Sequence, residues 1–232
     1  MIIEIKNALL ECKVIEIRKN IYAVIIENDY DRAMLFCRYQ EFYESPFINI
    51  KDQPFDLMLY MKTYKNNNCA NIFTYPEYWM GYNIPSHSLK KCLSNVFINK
   101  NEGCGVNTYD YIMNEITEAI YKHLGSEEIP FYILGVDKIE SDVMQHEIAH
   151  GLFYTDSEYK QRTIEAYNNL PNIIKESMSN ILLEMGYCDE VIIDEIQAYM
   201  STGLCDSMSL IEGIDSEKTN FEQIYKNKNR VD

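Results

Sequence analysis

His146-Glu147-Ile148-Ala149-His150 is the stretch on which the reading of this chain turns. Two imidazoles four residues apart lie on one face of an α-helix, a turn apart, so both can reach the same metal ion. Glu147 between them carries a carboxylate suited to taking and returning a proton. The residues in front prepare such a helix. Phe131-Tyr132-Ile133-Leu134-Gly135-Val136 is a short apolar and aromatic run bounded by Pro130 and Asp137, and it predicts a strand, buried or at a sheet edge. Ser141 or Asp142 can cap the helix that follows. Val143, Ile148, Ala149 and Leu152 recur at roughly helical spacing and leave His146 and His150 to another face.

The order of strand, tight turn and helix bearing H-E-x-x-H resembles the zincin superfamily of metallopeptidases. That resemblance implies a zinc ion held by His146 and His150, with Glu147 as general base on the attacking water. A catalytic zinc site normally uses three protein ligands. Beyond Pro171, the residues Ile173, Ile174, Met178, Ile181, Leu182 and Met185 keep a helical period as far as Gly186, which predicts one helix with a glycine at its C-terminal end. A second helix is expected over 189–202. It contains Asp194-Glu195-Ile196-Gln197-Ala198-Tyr199, which resembles the gluzincin pattern in which a glutamate on a later helix completes the site. Glu195 is thus the expected third ligand. The family pattern often carries an acid one turn further on, and this chain has Tyr199 there. Its hydroxyl could orient a ligand or stabilise a developing oxyanion, or the ring could simply pack.

Other side chains compete for the third position. Asp156 stands where metzincins place their last ligand, but position 153 is Phe153 and not the glycine their tight turn uses. Glu102-Gly103-Cys104 resembles the ligand motif that peptide deformylases carry upstream of H-E-x-x-H, and a thiolate is a good zinc or iron ligand. That family's glycine-rich motif with its catalytic glutamine is absent, and 108–124 reads as helix where the family has strands. Glu190 and Asp194 share a helix with Glu195, and a rotation of that helix would bring either one to the metal.

Composition sets outer limits. A chain of 232 residues suffices for a substantial core. A formal charge of −15 with scattered basic residues speaks against nucleic acid as a partner. No apolar run reaches the length of a membrane span, and the N-terminus lacks the features of a signal peptide. Seven cysteines without C-x-x-C spacing argue against a disulfide framework and for a reducing, cytoplasmic setting, with non-classical export left open.

The first half reads differently from the second. Runs at 12–17, 21–27 and 33–37 are rich in Val, Ile and aromatics and are separated by Lys19-Asn20 and Asn28-Asp29, which predicts a small antiparallel sheet. A helix is expected over 55–64, a polar loop over 65–68, a helix over 108–124 and a polar terminal helix or frayed tail over 215–232. The stretch 73–87, crowded with Tyr75, Tyr78, Trp79 and Tyr82, reads as irregular core packing in preference to a substrate loop. His123, near a helix end, reads as structural. His87, like Tyr154 and Tyr199, is a candidate oxyanion stabiliser.

These observations together predict an α+β chain. A small antiparallel β-rich region over 1–106 precedes a zincin-like catalytic core over 107–232, built from a short sheet, the active-site helix and a C-terminal helical part. The implied activity is zinc-dependent hydrolysis of peptide bonds in a peptide or protein substrate, which would lie along the 131–136 strand by strand addition. Two alternatives stand beside it. One is a zincin-fold binding or regulatory module without catalysis, and the other a deformylase-like amidase using Cys104.

Overall fold

The computed structural model describes residues 2–6, 10–45, 47–79, 81–98, 104–139 and 142–229. They form an α+β chain that divides into two compact units, Met1–Glu140 and Ser141–Asp232. Position 107, where the sequence suggests a boundary, falls inside the first unit as the N-cap of a helix.

The first unit runs β1 (Ile2–Lys6), β2 (Glu11–Arg18), β3 (Ile21–Ile25), α1 (Asp29–Glu44), α2 (Leu57–Asn67), α3 (Tyr75–Tyr78), β4 (Tyr82–Pro85), α4 (Ser86–Ile98), α5 (Thr108–Leu124) and β5 (Tyr132–Val136). The five strands form one sheet in the order β1-β2-β3-β5-β4. Lys19-Asn20 makes the turn between β2 and β3, and Asn20 takes the left-handed backbone (φ 62°) that asparagine tolerates. The expected antiparallel sheet is corrected to a mixed one, because β3 pairs parallel with β5. Of the two placements expected for the 131–136 strand, buried or at an edge, the buried one holds, and the expectation that a substrate adds along it is corrected. β5 is bonded to β3 on one side and to β4 on the other and is buried along its whole length, so it offers no free edge to an added strand.

The run 33–37, expected as a strand, lies within α1. Asn28 caps that helix by accepting from Asp31 N at 2.9 Å, and eleven consecutive residues from Arg32 to Phe42 are buried. A helix buried all round shows no amphipathic period, so its apolar run is indistinguishable from a core strand by pattern alone. Phe36 of α1 lies against β5 so closely that a Cβ on Gly135 would stand 2.6–2.9 Å from its ring. The polar loop expected over 65–68 is mostly the last turn of α2, which runs to Asn67.

Of the aromatic residues in 73–82, Tyr75 and Tyr82 are buried and Phe73 and Trp79 pack partly buried against the core, whereas Tyr78 is exposed, and the expected irregular stretch is corrected to α3 and β4. Tyr75 is 1 % exposed and stacks on Phe73 (ring centroids 5.5 Å apart) and Trp79 (5.7 Å), with Tyr60 and Tyr64 meeting its ring edges. The helix α5 matches its expected span. Asn107 and Asp110 cap its start reciprocally, and Gly125 ends it in the left-handed region. His123 near its end bonds Glu16 Oε2 at 3.1 Å.

Among the described residues of the second unit every element is a helix: α6 (Asp142–Thr155), α7 (Ser157–Asn169), α8 (Asn172–Glu184), a 3-10 turn (Asp189–Val191), α9 (Ile192–Thr202), α10 (Asp206–Ser209) and α11 (Ile214–Asn229). The end of α8 follows from sequence. Gly186 takes φ +98°, its N–H bonds Leu183 O and the Tyr187 N–H bonds Leu182 O, which satisfies the last carbonyls in a Schellman turn. The helix α9 packs against α6, α7, α8 and α11. It therefore buries polar side chains alongside apolar ones, with Glu195, Gln197 and Ser201 all at 4 % exposure or less. The polar stretch 215–232 is mostly α11, whose Ile214, Phe221, Ile224 and Tyr225 enter the core of this unit. Among the described residues, no helix is long and apolar enough to cross a membrane.

Candidate metal centre

The helix α6 carries the full motif, with Ile148, Ala149 and Leu152 buried as the periodicity predicts. Ser141, one of the two expected caps, lies outside the described residues. One turn of helix separates His146 from His150, and their Nε2 atoms stand 3.2 Å apart. From α9, Glu195 closes the group. Its Oε2 is 3.6 Å from His146 Nε2 and its Oε1 is 3.5 Å from His150 Nε2. The candidate ligand atoms of the three residues all lie within 4.8 Å of one another, and they form the group of this kind that the described residues contain.

Three features bear on whether a divalent ion fits. The first is spacing. A tetrahedral ion bonded to nitrogen and oxygen at about 2.0–2.1 Å holds its donors about 3.3–3.4 Å apart, close to the separations here. The second is Glu195, which is 2 % exposed and whose Oε2 accepts no hydrogen bond. A buried carboxylate oxygen in that state is costly unless a cation meets it. The third is His150 Nδ1, which lies 2.9 Å from Asp194 Oδ1. A proton held between them leaves the lone pair on Nε2, the atom that faces His146 and Glu195. The surroundings are anionic. Burial alone would lower the His150 imidazole, but Asp194, Glu195 and Glu147 outweigh it and raise its pKa well above the ordinary value.

Glu147 is 7 % exposed, and its charge raises the pKa of both His150 and Tyr199, which places it beside the group. The ring of Tyr199 meets His146 edge-on at a centroid distance of 4.6 Å. Burial and the Glu195 charge hold its phenol above the usual range, against a hydrogen bond from Tyr187 that lowers it. The phenol is therefore protonated and able to donate at neutral pH.

The rivals fall elsewhere. Asp156 is the N-cap of α7; its Oδ1 accepts from Tyr159 N at 2.9 Å and its Oδ2 pairs with Lys228 Nζ at 3.0 Å. Asp194 is drawn to the imidazole and not to the ligand face, and Glu190 sits exposed on the 3-10 turn. Cys104 is buried in the first unit, where its carbonyl accepts from Arg38 Nη1 at 3.0 Å, while Glu102 and Gly103 lie outside the described residues. His87 also belongs to the first unit, exposed on α4 with its ring edge to Tyr43. Tyr154 lies one turn beyond His150 on α6, half-buried.

Comparison with known proteins adds nothing to this geometry. No family model, no curated protein and no solved structure matches the chain. The reading of the site rests on its own atoms. Sequence reasoning assigned Asp194 only as a rival ligand. Its role as the partner of His150 Nδ1 follows from its place beside Glu195 on α9, one residue round the helix.

Proposed function

We propose that this chain is a gluzincin-like zinc metallopeptidase that hydrolyses peptide bonds. The observation that carries the proposal is the convergence of His146, His150 and Glu195 from two helices on one buried spot, at separations a tetrahedral ion requires. These three residues would hold the zinc. When bound, it supplies a Lewis acid that polarises the scissile carbonyl and makes water a nucleophile near neutral pH.

The remaining steps belong to protein groups. Glu147, one residue past His146 and buried beside the cluster, takes the proton of the attacking water and returns it to the leaving amine. Tyr199 offers a protonated phenol at the edge of His146, suited to donating to the carbonyl oxygen as negative charge develops there. Asp194 keeps His150 in the tautomer whose Nε2 can bind metal. The zincin-like assignment of the core forms part of this proposal.

Glu147→Gln tests it. The variant should keep its zinc affinity within about threefold, because Glu147 is not a ligand, while hydrolysis of a peptide library falls roughly 10²–10⁴-fold. If wild type cleaves no peptide with zinc bound, or if biological activity survives Glu147→Gln, the site serves binding and not catalysis.

A further inference from the structure

A line of buried polar side chains leads away from the candidate metal centre into the helical unit. Asp194 Oδ1, which receives His150 Nδ1, also accepts from Gln197 Nε2 at 2.9 Å. The Tyr159 hydroxyl donates to Gln197 Oε1 at 2.8 Å and lies 3.3 Å from Ser201 Oγ. Gln197 and Tyr159 are fully buried, and Ser201 is 4 % exposed.

The direction of each bond is determined by chemistry. A carboxylate only accepts, so the amide nitrogen of Gln197 must face Asp194 and its oxygen must face Tyr159. The phenol then spends its one hydrogen on Gln197 and accepts from Ser201. The line thus runs from Ser201 through Tyr159 and Gln197 to Asp194, where the His150 Nδ1 hydrogen meets it from the other side. Fold stability gives little reason for such a line, since apolar side chains of similar volume commonly serve a helix interface as well or better.

We propose that Gln197 and Tyr159 are positioning residues of the metal site, holding the Asp194 carboxylate in place so that His150 presents the Nε2 lone pair to the ion. This rests on the zinc-site reading above. Without the Tyr159 hydroxyl, the Gln197 oxygen loses the donor that anchors the amide, and the donor that fixes the Asp194 carboxylate is held less firmly. A group bonded directly to a ligand, as Asp194 is to His150, typically tunes metal affinity by roughly 10–100-fold, and Gln197 and Tyr159, further along the line, act through it with a smaller effect.

The test is the zinc Kd of the full chain, measured by competition with a chromophoric chelator, with the melting temperature of the metal-free protein recorded beside it. Tyr159→Phe and Gln197→Leu should each weaken zinc binding by roughly three- to tenfold, at or below the lower end of the range for a group bonded directly to a ligand. Thr163→Val serves as the structural control. Thr163 is fully buried on the same helix as Tyr159, and its hydroxyl bonds only the Tyr159 and Lys160 carbonyls, so its loss should lower the melting temperature and leave the zinc Kd unchanged. If Gln197→Leu does not fold, Tyr159→Phe, which removes one oxygen, carries the test. Wild-type affinity in both variants, or an equal loss in Thr163→Val, overturns the positioning role and leaves the zinc site standing. Failure of wild type itself to bind zinc overturns the zinc site and this role with it.

Discussion

Replacing Glu195 by glutamine should remove most of the stabilisation that zinc gives the protein. The Glu195 side chain is 2 % exposed, and its Oε2 accepts no hydrogen bond. A buried acceptor left in that state costs about 1–3 kcal/mol. Glutamine has nearly the same volume and no charge, so it removes that cost, but it also removes the anion that faces His150, whose pKa the Glu195 charge helps to raise. The two effects oppose each other in the metal-free protein, and for a chain of this size an imbalance of about 1 kcal/mol moves Tm by only about 2–4 °C. Zinc separates the two proteins. At a free concentration 100 times its Kd it stabilises wild type by about 2.7 kcal/mol, or roughly 5–11 °C. The variant has two imidazoles and a neutral amide, and it should keep only a small part of that shift. Thermal melts followed by circular dichroism, in chelator and in excess zinc, measure all four values. A variant that keeps the full zinc shift would refute Glu195 as a ligand.

Three further outcomes follow from particular contacts. Tyr199→Phe should lower kcat on a peptide substrate about 10²–10³-fold with little change in KM, as expected for loss of one oxyanion donor; steady-state kinetics decide it, and an unchanged kcat leaves Tyr199 as a packed ring. Gly135→Ala puts a methyl group 2.6–2.9 Å from the Phe36 ring and should cost about 1–3 kcal/mol in a denaturant titration. Asp156→Ala removes the cap of α7 and should cost about 0.5–2 kcal/mol at pH 7. Burial pushes the Asp156 carboxyl up, but the Tyr159 amide and Lys228 outweigh it and hold it below its ordinary value. Its contribution is thus complete above the unfolded-state pKa of about 3.9 and is lost as pH falls through the lower folded value. The gap between wild type and Asp156→Ala should narrow below about pH 4, and a gap independent of pH would count against the Lys228 pairing.

Where the sequence carried local stop and start chemistry, the fold was legible. The Asn107 and Asp110 pair with Gly125 marks α5 at both ends, and Gly186 marks the end of α8. The members of the candidate metal group were legible too, because H-E-x-x-H places two imidazoles on one helical face and only a few acids downstream could join them. What pattern could not give is what depends on distant packing. The apolar run 33–37 is compatible with strand and helix alike, and only burial on every side of α1 explains why its periodicity is silent. The parallel pairing of β3 with β5 joins residues about a hundred positions apart, and no turn signal announces it. The same holds for Tyr159 and Gln197, which stand 38 positions apart and meet only because α7 packs on α9.

Metal content tests the central claim most directly. Untagged wild type, Glu195→Ala and Cys104→Ala, each supplied with zinc and then desalted, are assayed by mass spectrometry. The account predicts near-stoichiometric zinc in wild type and in Cys104→Ala, with a sharp fall in Glu195→Ala. Zinc lost in Cys104→Ala but kept in Glu195→Ala, or no zinc in wild type, would contradict it.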